Sequence, residues 1–271
     1  MERCQQIERS IIKKYRKPIW NNFIGSLKDY QMIQAGDRIA VCISGGKDSF
    51  LLAKCLQELQ RHGSEVPFEL EYIVMDPGYR PENRLRIEEL LQTLEIPAHI
   101  YPSPIFSVVE KQEGTPCYLC ARMRRGYLYK FAKELGCNKI ALGHHFDDVI
   151  ETILMSMLYG AEMRTMMPKL HSLNYPGMEL IRPLYLVRER DISAWARYNG
   201  LEFLRCACSV SDSRENGSKR AEIKALLETI RATNPQADIN IFRSAQNVNL
   251  ETIISYHKGE EFTSFLDEYE Q

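Results

Sequence analysis

Six residues, SGGKDS at positions 44 to 49, have the makeup of a phosphate cradle. Two adjacent glycines let the backbone turn tightly and present N–H groups to an anion. Ser44 and Ser49 can donate hydroxyls, and Lys47 can neutralise a phosphate. The loop is not a Walker A motif, because no glycine stands five residues before Gly46. A second stretch, GHHFDDVIET at 143 to 152, gathers Gly143, His144, His145, Asp147, Asp148 and Glu151. Carboxylates at a helix start cap the helix in any case. They are also hard oxygen ligands for the Mg²⁺ that a nucleotide carries, and Asp148 is the acidic candidate. No zinc-protease pattern accompanies His144 and His145, so they read as groups that contact a nucleotide or orient Asp148. The third constellation is cysteine: Cys117 and Cys120 in TPCYLCARMRR, then Cys206 and Cys208 in RCACSVSDS. Three uses compete for them. Four thiolates suit tetrahedral zinc, a C-x-x-C at a helix start suits a redox disulfide, and thiolates from distant segments suit an iron–sulfur cluster. Spacing alone leaves all three open.

Loops of this kind need a scaffold, and the chain supplies one in order. DRIAVCIS (37 to 44) is a short apolar, β-branched run that predicts a buried strand ending at the glycines. A helical pattern follows over 48 to 63, with Gly63 as its stop. Strands are predicted at 68 to 75, 98 to 102, 138 to 143 and 180 to 184, and helices at 81 to 95, 118 to 135, 147 to 160 and 188 to 200. Residues 3 to 31 read as helical, with Pro18 breaking the run or starting a second helix. From Asn216 onward the chain reads as purely helical. Strands alternating with helices imply an α/β parallel sheet covered on both faces, with ligands at the carboxyl ends of its strands. The corresponding division is a helical segment at 1–34, an α/β domain at 35–205 and a cysteine-bearing helical extension at 206–271.

Composition agrees with a soluble globular protein that has a sizeable core. The 271 residues are 44% hydrophobic and 26% charged, with a formal net charge of −1. That balance argues against wholesale coating of nucleic acid but allows local basic patches. Two occur: Lys13, Lys14, Arg16 and Lys17, and Arg122, Arg124, Arg125, Lys130 and Lys133. A solvated helix face is the alternative reading of each. The N-terminal stretch has no apolar core of a secretory signal and no run long enough to span a membrane. A cytoplasmic location with reduced thiols is the expectation. Cys42 and Cys55 lie in apolar runs and Cys4 and Cys137 stand alone, so these four read as packing or surface thiols.

SGGKDS resembles the PP-loop, S-G-G-x-D-S, of the N-type ATP pyrophosphatases, and it falls at a strand–helix junction. PCYLCARMRRGYLYKFAKELGCNKIALGHHFDDVIET, MPKL, IRPL and SAQNV extend the likeness to the TtcA group, the tRNA 2-thiocytidine synthetases, over about residues 37 to 248. The resemblance implies a Rossmann-like fold of the adenine nucleotide alpha hydrolase type. It implies ATP held by Ser44, Gly45, Gly46, Lys47, Asp48 and Ser49, with Gly143 and His144 nearby and the backbone of Val74 and Met75 passing the adenine. It implies Lys47, Asp48 and Asp148 as the catalytic group, with Asp148 on Mg²⁺. It also implies a 4Fe-4S cluster on Cys117, Cys120 and, by position, Cys208, with Cys206 as the alternative third ligand. The family's later motif is commonly P-C-x-x-C-G-S, and RCACSVSDS is one residue shorter between its cysteines. Arg122, Arg124 and Arg125 follow the proposed ligands and are expected to hold RNA phosphates. The implied reaction adenylates the C2 oxygen of a cytidine, position 32 of tRNA, and replaces it with sulfur. The implied partners are tRNA, a cysteine desulfurase or other sulfur donor, and a second copy in a homodimer. Alternatives within reach of the same loop are an amidating PP-loop enzyme, another thiolating enzyme, or a zinc-stabilised protein that binds ATP or RNA without catalysis.

Overall fold

A computed structural model describes residues 2–109, 116–204, 219–267 and 269, and for residues 116–118 the backbone only. Cys206 and Cys208 therefore lie outside the described residues, as does the side chain of Cys117.

Six strands form the central sheet in the order β3-β2-β1-β4-β6-β5. They are β1 (Arg38–Ile43), β2 (Glu69–Asp76), β3 (Ala98–Pro102), β4 (Lys139–Ala141), β5 (Lys169–His171) and β6 (Glu179–Ile181). β1 pairs in parallel with β2 and β4, and only β5 runs antiparallel. The chain first builds outward from β1 to β2 and β3, then returns to lay β4 on the other side of β1. That reversal opens a crevice at the carboxyl ends of β1 and β4, where α/β sheets bind ligands.

Side chains alternate across β1 as a strand requires. Ile39, Val41 and Ile43 face one core, shared with Phe50, Leu51 and Trp195, while Ala40 and Cys42 face a second, shared with Tyr129 and Phe131. Helices α1 (Arg3–Ile12), α2 (Asn22–Asp29), α3 (Lys47–His62), α4 (Pro81–Thr93) and α8 (Glu189–Tyr198) supply the first core. The short α5 (Ile105–Val109) and long α6 (Pro116–Glu134) cover the opposite face. Pro18 lies within a π-helical turn, Arg16–Asn21, that joins α1 to α2, so the chain bends there without leaving helical geometry. α7 (Phe146–Gly160) follows β4, and α9 (Lys219–Thr233) and α10 (Ala237–Ser244) pack on α7.

The expected helical C-terminus is corrected. After α10 come a hairpin of β7 (Ser255–Lys258) and β8 (Glu261–Ser264), with Gly259 at φ 68° in its two-residue turn. Glycine first in such a turn matches the twist of the flanking strands. The antiparallel β5 was also not foreseen. The thiols expected to pack do so: Cys4, Cys42, Cys55 and Cys137 are all buried. Among the described residues, no helix is long and apolar enough to cross a membrane.

Candidate active site

β1 delivers the chain into the glycine loop at the crevice. Gly45 sits at φ 90°, in the left-handed region that glycine adopts without strain. A Cβ there would also lie 3.0 Å from Leu204 Cδ1, and the Leu204 N–H donates to the Gly45 carbonyl at 3.1 Å. Gly46 occupies the N-cap of α3 in extended conformation and brings no side chain to cap it. The first-turn N–H groups of α3, with the positive end of the helix dipole, are thus left for an outside acceptor. Ser49 Oγ locks the loop, donating to the Gly46 carbonyl at 2.9 Å and accepting from the Ser44 N–H at 3.1 Å.

The loop after β4 presses against this turn. A Cβ on Gly143 would meet the backbone of Asp48 and Ser49 at 3.0 Å, so only glycine lets the two loops touch. His145 then starts α7 with a reciprocal cap: its Nδ1 accepts from the Asp148 N–H, and Asp148 Oδ2 accepts from the His145 N–H at 3.0 Å. The paired acids divide. Asp147 turns away from the crevice to Arg231 and Arg188 and accepts from the Glu189 N–H at 2.7 Å. Asp148 turns into it.

A chain of alternating charges ties the crevice to α9. Lys47 Nζ lies 3.0 Å from Glu189, Glu189 lies 3.1 Å from Lys224, and Lys224 lies 3.7 Å from Glu151. Arg220 closes the chain, 3.0 Å from Glu151 and 2.7 Å from Asp148. Burial opposes ionisation of Asp148, but His145, His144 and Arg220 outweigh it and hold the carboxyl below its usual range. Glu189 behaves likewise: Lys47 and Lys224 overcome burial and bring it to about 2. Burial wins at Asp48, raising its carboxyl, and at His144, lowering the imidazole to about 4. His144 is therefore neutral near pH 7.

These groups surround a cavity of about 260 Å³ whose wall includes Ser44, Asp48, Ser49, Met75, Gly143, His144 and Asp148. Three buried polar atoms of that wall, Asp48 Oδ1, His144 Nδ1 and Arg124 Nε, make no hydrogen bond among the described residues, although Lys47 Nζ stands 3.2 Å from Asp48 Oδ1 as an ion pair. Gly45, Gly46 and Lys47 belong to the same loop but not to the wall, and the Val74 side chain faces the opposite core. Of the three arginines after the C-x-x-C, Arg122 and Arg125 are exposed. Arg124 lines the cavity, 5.6 Å over the Phe106 ring, with its Nε buried and without a hydrogen-bond partner among the described residues. Cys120 is a free, half-buried thiol one helical turn before Arg124. Among the described residues, no three His, Cys, Asp or Glu side chains stand together as a metal site.

Sequence reasoning did not single out Tyr79, Glu189, Arg220 or Lys224. Tyr79 lines the cavity and donates its hydroxyl to the Ser44 carbonyl at 3.1 Å, held by a turn in which Asp76 Oδ1 accepts from its N–H. The D-P-G-Y turn was a local signal for it. The other three reach the site from remote elements and leave no local trace.

A PP-loop domain model matches residues 13–214. The tRNA-cytidine(32) 2-sulfurtransferase of Alcanivorax borkumensis is 39% identical over 247 residues, spanning 89% of this chain and 84% of that protein. The Hahella chejuensis protein of the same name is 40% identical over 250 residues, spanning 90% and 85%. Among solved structures, the U34-tRNA thiolase NcsA from Methanococcus maripaludis, determined with its 4Fe-4S cluster, superposes with a TM-score of 0.65 at 21% identity. That match covers 89% of this chain and 84% of NcsA and supports the shared fold. With a cradle, a crevice and relatives of this extent in agreement, the chain belongs to the PP-loop family and, within it, to the tRNA-cytidine(32) 2-sulfurtransferase (TtcA) family.

Proposed function

We propose that this chain is an ATP-dependent tRNA sulfurtransferase that adenylates the C2 oxygen of cytidine 32 and replaces that oxygen with sulfur. The observation that carries the reading is the cavity between the glycine loop and Asp148, where His144 Nδ1 and Arg124 Nε are buried with no hydrogen-bond partner among the described residues. An unsatisfied buried polar atom costs about 1–3 kcal/mol, which a ligand offsets when it binds.

The uncapped start of α3, with Ser44, Ser49 and Lys47, receives the pyrophosphate end of ATP. The backbone at Val74 and Met75 passes the adenine. Asp48 and Asp148 hold Mg²⁺ on the phosphates; Asp148 stays ionised for that task because its neighbours depress it. Neutral His144 contributes a hydrogen bond and no charge. The cytidine C2 oxygen attacks the α-phosphorus, the bond to the bridging oxygen breaks, and pyrophosphate leaves into the loop. Adenylation makes the oxygen a good leaving group, as AMP. The protein's share is placement and charge stabilisation.

Cys117, Cys120 and Cys208, with Cys206 as the alternative, would hold a 4Fe-4S cluster. The donor chemistry fits: positions 117, 120 and 124 share one face of α6 by helical spacing, Arg124 of that face reaches the cavity, and a first helical turn favours thiolate. When bound, the cluster supplies the sulfur that takes the place of AMP. A cysteine desulfurase or other donor renews it, and the enzyme acts in the cytoplasm as a homodimer. Arg122 and Arg125, exposed beside Arg124, approach the RNA phosphates.

Nucleoside mass spectrometry of tRNA from a deletion strain tests the reading. Loss of 2-thiocytidine, restored by the gene, is expected; undiminished 2-thiocytidine overturns the substrate. Anaerobically purified protein is expected to carry iron and acid-labile sulfide, and zinc alone would remove the cluster.

A further inference from the structure

The basic run at the end of α1 takes no part in the site described above, yet it does not disperse over the surface. Arg3, Arg9, Lys13 and Lys14 line one groove of about 550 Å³, closed on its far side by Tyr198 and Asn199 at the end of α8. All four cations are exposed, and none is in an ion pair among the described residues. Glu8, the carboxylate of α1, points the other way, to Lys54 and Arg61. Around the crevice, by contrast, Lys47, Arg188, Arg220, Lys224 and Arg231 each have a carboxylate.

Helix stability does not account for the groove. Cations in a last turn favour the macrodipole, which would explain Arg9, but Arg3 stands at the first residue of α1, where a cation opposes it, with Glu2 at the N-cap as its acidic neighbour. Arg3 is instead held in place, donating to the Asn199 carbonyl at 3.3 Å. Lys14 is held too, 3.5 Å over the Tyr198 ring. Two of the cations are thus fixed by neutral partners that leave their charge unspent.

α8 connects this groove to the crevice. Its first residue, Glu189, touches Lys47, and its last, Tyr198, forms the groove wall, about 14 Å away along the axis. Arg190 and Arg197 lie seven residues apart, on one exposed face between the two. Among the described residues, the one ion pair of Arg190 is a contact of 3.8 Å to Asp191. A nucleic-acid strand carries a charge about every 3.4 Å of axis, so about four phosphates span that distance.

From this we infer that the groove of α1 and α8 binds the sugar-phosphate backbone of RNA, and that Arg190 and Arg197 extend it toward the crevice. The inference rests on the tRNA reading and adds where the RNA body lies while one base reacts. Its contacts are to phosphate, so they set register and affinity and not sequence.

The test is tRNA binding by the full-length protein across a salt series, comparing wild type with Arg9→Glu/Lys13→Glu/Lys14→Glu and with the milder Arg9→Gln/Lys13→Gln/Lys14→Gln. The reversal is expected to weaken binding at least about 30-fold at low salt. The neutral variant is expected to lower the slope of log K against log salt by about 2 to 2.7, or 0.7–0.9 per lost phosphate contact. ATP affinity and the thermal midpoint, unchanged, establish that both variants fold. Wild-type affinity and slope in both variants overturn the groove. So does loss of binding to phosphatidylserine vesicles with tRNA binding intact, because that places a membrane there instead. The sulfurtransferase reading fails separately, if wild type itself binds tRNA no better than heparin and forms no 2-thiocytidine.

Discussion

Two lysines anchor charge networks at opposite ends of the sheet. At the amino-terminal edge, Lys139 opens β4 with its side chain 5% exposed. It donates to the Met32 carbonyl at 2.9 Å and meets Asp37 at 2.8 Å and Glu179 at 3.0 Å. Asp37 accepts further bonds from the Gln34 N–H and Asn138 Nδ2, each at 2.7 Å. At the carboxyl-terminal edge, Lys47 is 26% exposed and shares Glu189 with Lys224. Lys47 also pairs with Asp48 Oδ1 at 3.2 Å, and the cavity that Asp48 lines keeps His144 Nδ1 and Arg124 Nε buried with no hydrogen-bond partner among the described residues. The chemistry of the two ends is alike, lysine among carboxylates, but one is complete and the other is not. A saturated network has no capacity left for a ligand and serves the fold. An unsaturated one is tolerated where something else completes it.

The contrast is broken most forcefully at the saturated end. Lys139→Met leaves Asp37 and Glu179 as buried charges and is expected to cost about 3–5 kcal/mol in urea unfolding. A midpoint equal to wild type would mean the amino-terminal network is not structural. The next largest effect belongs to the crevice. Gly143→Ala drives a methyl into the backbone of Asp48 and Ser49. Separating the loops by a fraction of an ångström is expected to lower kcat/KM for 2-thiocytidine formation by about 100-fold, with a stability loss of about 1–3 kcal/mol. Full activity in that variant would show that the touching loops do not set the geometry of the site.

How far each end could be read from sequence follows from the range of its signals. SGGKDS was legible because the strand, the glycine turn and the helix adjoin one another, and the same holds for GHHFDD at the start of α7. Alternation within β2 put Val74 and Met75 on opposite faces, but only the packed α6 decides that Met75 meets the cavity. Arg122, Arg124 and Arg125 looked equivalent as a run; helical phase turns Arg124 alone inward. β5 is three residues with one central leucine, too short for a period, and the Ser255–Lys258 strand carries Tyr256 as its lone apolar group. The crevice partners Glu189, Arg220 and Lys224 are beyond any local pattern. Arg220 meets Asp148 from 72 residues away, through a docking of α9 on α7 that only tertiary packing produces.

Acid sharpens the comparison at intermediate size. Glu189 is depressed to about 2, because Lys47 and Lys224 outweigh its burial. A carboxyl lowered on folding stabilises above its unfolded value, roughly 4.3, and the stabilisation is lost as pH falls through the folded value. Glu189→Gln is therefore expected to cost on the order of 2 kcal/mol at pH 7 after allowance for screening. The difference from wild type should vanish as denaturation is repeated toward pH 2. A gap that persists undiminished in acid would assign the loss to packing and not to charge.

The smallest expected effect separates holding a fold from holding a ligand. Arg220 is 41% exposed, so its pair with Asp148 is worth less than about 1 kcal/mol to stability, and Arg220→Gln should barely move the thermal midpoint. The same guanidinium nevertheless sits on the carboxylate proposed for Mg²⁺. If the two compete, removing it lowers the Mg²⁺ concentration that half-saturates ATP binding by about two- to fivefold, the same energy read as a concentration. If the Mg²⁺ requirement rises instead, Arg220 works with the metal on the phosphates, and the crevice then contains one more group that contacts the nucleotide. Either shift at constant stability keeps the two ends of the sheet distinct; a loss of stability with no change in Mg²⁺ dependence would make Arg220 a second Lys139.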